Sequence, residues 1–127
     1  MCQILRFQAV EVSFAARDDE NIAYAFFSNV IFPNTQYLMV NRFLGPDKRS
    51  DVFVEYSNQS RVAQGGITLC ELTPNNIIFS VKPQTAKALG ILFVNQIIVD
   101  FELAAPVLAD LKDSLSAIFD DFLIRPL

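Results

Sequence analysis

Apolar and polar residues alternate along much of the chain, with the period of strands that bury one face. In 76–82, Ile77, Phe79 and Val81 occupy every second position. The Thr-Pro-Asn-Asn segment before them suits a type I turn, because proline supplies the fixed φ of the second turn position. We therefore predict that 67–72 and 76–82 form a hairpin.

Five further segments are predicted strands, and alternation is clearest in the first and last of them: 4–14, 22–28, 36–43, 52–56 and 93–103. In the first of them the alternation changes phase at Ala9-Val10, which either a β-bulge or burial of both faces would explain. The charged residues 17–21 predict a turn, and hence a hairpin of the first two strands. Residues 44–50, with their Gly-Pro-Asp sequence, predict an exposed loop.

Gly65-Gly66 is the only double glycine in the chain, and it opens the strand at 67–72. A glycine pair in that place predicts a β-bulge or a close backbone approach, because a side chain would block a positive φ or a passing segment. The polar residues 57–64 lead the chain back to this pair. We interpret the pair as a geometric requirement at the centre of 51–81, around which the predicted sheet is organised.

Two helices are predicted in the second half of the chain. Residues 83–90 begin with proline and end with glycine, which indicates one or two helical turns. The last element has apolar residues at three- and four-residue spacing, namely Val107, Leu108, Leu111, Leu115, Ile118, Phe119 and Phe122. Pro106 fits its first turn. We expect this helix to lie across the sheet and close the core.

The order of these elements predicts an α+β fold in a single domain, 1–127. We expect a mostly antiparallel sheet meander of about six to seven strands, with one short helix and a C-terminal amphipathic helix packed on the sheet. Twelve phenylalanines and 52% hydrophobic residues indicate a core filled by large rings. Whether the sheet closes into a barrel stays open.

Composition and charge narrow the possible partners. A net charge of −4 argues against nucleic-acid binding, which needs basic patches. The apolar runs are shorter than the ~20 residues that cross a membrane, and the amino end lacks a signal-peptide pattern. We therefore expect a cytoplasmic protein without membrane contact. Cys2 and Cys70 are expected to be reduced thiols, with Cys70 a small strand residue.

Residue chemistry predicts no catalytic, cofactor or metal site. The chain has no histidine, which excludes Ser-His-Asp and Cys-His catalysis and histidine-containing metal sites. The glycine pair lacks the spacing and the lysine of a phosphate-binding loop. Glu55 and Glu71 could form an acid and base pair, but two ordinary strand carboxylates explain them better. We expect a protein that is not an enzyme.

The order and spacing of several short motifs resemble the immunity protein 10 family of bacterial polymorphic toxin systems, over about 5–119. The motifs are Phe7-Gln8-Ala9 with Val12, Tyr37-Leu38-Met39 with Arg42, Val54-Glu55, Gly65-Gly66-Ile67, Ala86 to Leu89-Gly90, Val99-Asp100-Phe101 and the closing helix. The chain departs from the family's usual pattern at Val40-Asn41 and at Gln64. The resemblance implies a non-enzymatic cytoplasmic protein that binds and neutralises a cognate protein toxin.

We predict a partner-binding surface from the residues themselves. Its polar members are Glu55, Arg61 and Gln64 of the central segment. Ile31 and Phe32 flank them, because 29–35 is unusually apolar for a connection; the same loop could instead fold back over the core. The alternative function is a self-associating module or small-molecule binder that uses its Phe-rich sheet and the tail at 123–124. A homodimer is compatible with either function.

Overall fold

Two five-stranded sheets and two helices make up the described part of the molecule. The computed structural model describes residues 3–17, 21–31, 34–44, 51–58, 60–119 and 124–126. The elements in chain order are β1 (Gln3–Gln8), β2 (Glu11–Arg17), β3 (Ile22–Ile31), β4 (Asn34–Phe43), β5 (Phe53–Tyr56), β6 (Val62–Gln64), β7 (Ile67–Leu72), β8 (Asn76–Val81), α1 (Pro83–Ala88), β9 (Val94–Asp100), α2 (Ala105–Ile118) and β10 (Ile124–Pro126).

The strands divide between a mixed sheet and an antiparallel meander. The first sheet has the order β1-β9-β8-β7-β10, and in it β1 is parallel to β9 and β10 is parallel to β7. The second sheet has the order β2-β3-β4-β5-β6, with every neighbouring pair antiparallel. The predicted α+β class and the mostly antiparallel pairing are confirmed. The strands are more numerous than predicted and form two sheets, since the chain changes sheet once within the predicted strand 4–14 and once at the glycine pair.

The first change of sheet occurs between Ala9 and Val10. The Ala9 amide donates to the carbonyl of Asp100 in the first sheet (2.7 Å), whereas the Val10 amide donates to the carbonyl of Ser28 in the second (2.8 Å). The predicted strand 4–14 is therefore two strands, β1 and β2. Its change of phase marks a crossing between sheets, and neither a bulge nor two-sided burial is the reason.

The second change of sheet occurs at the glycine pair. The Gly65 amide donates to the Val52 carbonyl of the second sheet (2.7 Å), and the Gly66 carbonyl accepts from the Lys82 amide of the first (2.9 Å). Both glycines have positive φ, +73° and +88°. A Cβ on Gly66 would lie 1.6 Å from Oγ1 of Thr85 in α1. The positive φ values agree with the expectation, and the close approach at Gly66 is made by the side chain of Thr85 in place of the expected backbone.

The β3–β4 hairpin is longer than its sequence suggested. Residues 29–31 continue β3 and residues 34–35 begin β4, with Ile31 paired to Asn34 at the end of the ladder. The expectation of a connection over 29–35 was wrong for these residues, because an apolar run beside a Pro suits the end of a strand as well as a loop. The other predicted hairpin is confirmed, since β7 and β8 pair antiparallel.

One core cluster contains buried residues of both sheets and both helices. Phe27 lies at its centre, with ring centroids 6.3 Å from those of Phe79 and Phe101. The Phe119 ring, just beyond α2, lies 6.2 Å from that of Phe79. Helix α2 packs on β2, β3 and β4, as the amphipathic pattern predicted. Neither of the two described helices is long and apolar enough to cross a membrane.

Candidate functional site

Strand β3 alternates small and large apolar residues. Ala23 and Ala25 are fully buried in the core cluster, where their size lets α2 approach the sheet. Tyr24 and Phe26 alternate with these alanines along the strand, remain partly exposed and lie outside the core cluster. Both faces of this strand are thus apolar, and among the described residues α2 and the core cover the face of Ala23 and Ala25.

The side of the second sheet that faces away from α2 is called the outer face below. The register of β3, β4 and β5 sets its residues opposite one another, with Phe26 opposite Met39 and Met39 opposite Glu55. Its large apolar side chains are Ile22, Tyr24, Phe26, Tyr37, Met39, Phe43, Phe53 and Val62. Each is partly or largely exposed and none belongs to the core cluster. The outer face is therefore a broad aromatic surface.

Tyr37 links the aromatic and acidic parts of the outer face. Its ring lies 5.5 Å from that of Phe26, and its hydroxyl donates a hydrogen bond of 2.5 Å to Oε2 of Glu55. Burial and this bond to a carboxylate raise the pKa of Tyr37 to about 12. The phenol therefore remains a donor over the physiological pH range, and it fixes one carboxylate oxygen of Glu55 while the other can accept from a partner.

The described charged side chains of the outer face are Glu11 and Glu55, both acidic. The exposed side of the first sheet differs, since there Arg6 donates two hydrogen bonds to Asp100 (2.7 and 2.9 Å). The bond from Arg6 lowers the pKa of Asp100. The exposed side of the first sheet thus carries a paired charge beside apolar residues such as Ile4 and Ile78, whereas the described charges of the second sheet's outer face are both acidic.

Two of the predicted interface residues lie together on the outer face. Glu55 in β5 pairs with Val62 of β6, and Gln64 follows two positions later on the same face. Gln64 donates to Oδ2 of Asp51 (3.1 Å) at the sheet edge. Arg61 lies elsewhere. A Cβ added to Gly90 would be 3.0 Å from Nε of Arg61, so the guanidinium lies against the residues that follow α1.

The predicted apolar flank does not adjoin this pair. Ile31 is the last residue of β3, five positions beyond Phe26, which is roughly 17 Å at the rise of a strand. Phe32 lies outside the described residues, as do the charged segment 18–20 and most of the loop at 44–50. The structure therefore supports Glu55 and Gln64 as neighbours on one surface and does not join Arg61 or Ile31 to them.

The described residues hold no arrangement of groups that resembles a catalytic or metal site. Glu55 and Glu71 belong to different sheets, so the acid and base pair considered from the sequence is not formed. No three His, Cys, Asp or Glu side chains are grouped for a metal ion within the described ranges. Cys70 is buried, and burial together with the charge of Glu71 raises the pKa of its thiol to about 12. A protonated buried thiol is a poor nucleophile.

Sequence reasoning missed Tyr24, Phe26, Met39 and Phe53 as surface residues. A test for alternation of apolar and polar residues treats 22–27 as a continuous apolar run, and such a run is also typical of a strand buried on both faces. The informative signal was size, because Ala at every second position indicates the face that a helix approaches. The large residues then belong to the opposite face.

The chain has no significant match among protein-family models, curated proteins or solved structures. Its function is therefore inferred from the geometry of the outer face and from the order of motifs along the chain.

Proposed function

We propose that this chain is a non-enzymatic cytoplasmic immunity protein that neutralises a cognate protein toxin by binding it through the outer face. The observation that carries the proposal is the partly exposed group of aromatic side chains on the second sheet, outside the core cluster. Large exposed apolar patches are unusual on monomeric proteins and mark interaction sites. The motif order that resembles immunity proteins supplies the class of partner.

The outer face is large enough for a specific protein interface. Five strands at ~4.8 Å spacing span about 24 Å, and six residues along a strand span about 20 Å, which gives roughly 500 Å² in projection. A standard interface buries about 800 Å² of accessible surface on each partner, and rough side-chain relief makes accessible area exceed projected area. Aromatic residues and Met are also the types enriched at interface centres.

Charge favours a basic partner over a second copy of this chain. The outer face contributes the carboxylates of Glu11 and Glu55, and the whole chain carries −4. Two such faces packed on each other would place like charges in a dry interface, which costs several kcal/mol. A toxin surface rich in Lys or Arg would gain attraction at the same positions and would associate faster.

Growth rescue tests the proposal in cells that express the toxin domain encoded beside this chain's gene. The wild-type chain should restore growth and copurify with the toxin. Met39→Glu adds a charge at the centre of the outer face and should abolish rescue, since a central interface residue typically contributes about 2 kcal/mol or more. Leu69→Glu is the matched control, because Leu69 lies opposite Ser80 on the exposed side of the first sheet.

Rescue by Met39→Glu equal to that by the wild type would contradict the proposed surface. Failure of the wild-type chain to rescue or copurify would contradict the proposed function. Circular dichroism of each variant confirms that it is folded, so loss of rescue by Met39→Glu is not confused with loss of structure.

Self-association is the second candidate function, and the apolar character of the outer face is the observation that favours it. Light scattering at tens of micromolar distinguishes the two. The charge argument predicts a monomer for the isolated chain. A stable dimer that Met39→Glu dissociates and Leu69→Glu does not would favour self-association through this face.

A further inference from the structure

A groove of about 430 Å³ lies beside α1, and none of the residues that line it belongs to the outer face. Pro83, Gln84 and Lys87 of α1 form one wall, and Leu92, Phe93 and Val94 form the other. The volume lies within the range of about 300–1,000 Å³ that is typical of small-molecule sites, and the lining is mostly apolar. A small ligand with an apolar body would therefore bury much of its surface there.

Phe93 indicates that the groove has a use beyond folding. Its backbone adopts a φ of +69°, a conformation that a bulky aromatic residue rarely occupies. Its side chain is 69% exposed and that of Leu92 is 57% exposed. Folding gains little from burying either side chain, and a glycine at 93 would avoid the strain. Strained residues of this kind are concentrated at ligand-binding sites.

The charge of the groove selects among apolar ligands. Lys87 is the one charged residue that lines it, and in the described part of the chain Lys87 forms no ion pair. A lysine can lay its methylene stem along an apolar surface and keep its ammonium in water. The groove therefore offers an apolar trough with a single cation, in a chain that is otherwise acidic.

We propose that this groove binds a small amphiphile made of an apolar chain and one carboxylate, of the medium-chain fatty-acid class. The apolar chain lies between α1 and the Leu92-Phe93 turn, and the carboxylate pairs with Lys87. The proposal is independent of the proposed toxin binding, because it uses a different surface and needs no partner protein.

Titration calorimetry and ¹⁵N-resolved chemical shifts of the intact chain test this with decanoate as the probe. Decanol and decylammonium share its chain length and supply the neutral and cationic comparisons. Decanoate should bind about two- to fivefold more tightly than decanol, decylammonium should bind most weakly, and shift changes should map to 81–95. No binding at millimolar decanoate, or shifts confined to the outer face, would overturn the proposal.

Variants separate the two parts of the recognition. Lys87→Gln should weaken decanoate about two- to fivefold and leave decanol unchanged. Phe93→Gly should weaken both ligands without loss of folding, because it removes an exposed ring and relieves the backbone. Lys112→Gln is the matched control, since Lys112 lines a smaller apolar groove of about 240 Å³ beside α2. An equal loss for Lys112→Gln and Lys87→Gln, or decanol weakened as much as decanoate by Lys87→Gln, would refute the assigned site.

Discussion

Alanine at Gly66 should be much more destabilising than alanine at the adjacent Gly65. Both glycines have positive φ, so each substitution imposes the same kind of backbone strain. They differ in surroundings, because a Cβ on Gly65 meets nothing within 4 Å, whereas one on Gly66 would lie 1.6 Å from Oγ1 and 2.9 Å from Cβ of Thr85. The pair therefore separates backbone strain from side-chain overlap.

The magnitudes follow from these two contributions. Left-handed backbone costs Ala about 1–2 kcal/mol, and the reduced entropy of the unfolded chain offsets about 0.4–1 kcal/mol, so Gly65→Ala should cost about 0.5–1 kcal/mol. Thr85 is buried and cannot move aside freely. Overpacking a filled site adds about 1–3 kcal/mol, so Gly66→Ala should cost about 2–4 kcal/mol.

Urea unfolding followed by circular dichroism measures these costs, and a second substitution isolates the overlap. Thr85→Ala removes Oγ1, so it should recover about 1–2 kcal/mol of the loss in Gly66→Ala. Thr85→Ser keeps Oγ1 and should recover little. Equal losses for Gly65→Ala and Gly66→Ala, or additive effects of Gly66→Ala and Thr85→Ala, would refute the account of α1 packed against the sheet crossing.

Three further predictions concern single groups. Spectrophotometric titration should show Tyr37 ionising near pH 12, and Glu55→Gln should lower that pKa while leaving it above 10, since burial is the larger cause. The phenol of the unfolded chain titrates near pH 10, so the stability that Tyr37 contributes is present below pH 10 and is lost between about pH 10 and 12. If the free energies of unfolding of the wild type and Tyr37→Phe differed by the same amount at every pH, this would be contradicted. In a Cys2→Ser background, Cys70 should react with a thiol reagent at least about 1,000-fold more slowly in the folded than in the unfolded chain, and fast labelling of the native protein would show that the thiol is accessible. Phe93→Gly should raise the free energy of unfolding by about 0.5–1 kcal/mol, because the backbone strain that it relieves exceeds the entropy cost of ordering a glycine. A large decrease in the free energy of unfolding, measured in urea, would show that the ring supports the fold.

Local patterns predicted most of the elements because each depends on neighbouring residues. The β7–β8 hairpin needed a turn sequence and alternation of apolar residues, and α2 needed an apolar stripe after Pro106. The division into two sheets depends on partners far along the chain. The pairing of β1 with β9 joins residues more than 90 positions apart, and nothing near Phe7 in the sequence specifies it.

The candidate site was predictable in part for the same reason. Glu55 and Gln64 came from one segment, and strand pairing brought them together. The position of Arg61 depends on Gly90, which follows a helix that its own segment does not predict. The sequence does not show which face of β3 is exposed, since both faces are apolar. The position of α2 over the alanines of that strand identifies the aromatic face as the outer one.

The methyl resonance of Met39 gives the most direct test of the outer face as the toxin-binding surface. The chain has two methionines, so selective ¹³C-methyl labelling yields a signal for Met39 beside that of Met1, and Met39→Leu assigns it. The proposed function requires a cognate toxin domain, and on its addition the account predicts a complex in which the Met39 signal shifts or broadens at stoichiometric ratio. A stable complex with the Met39 signal unchanged, or no complex at all, would contradict it.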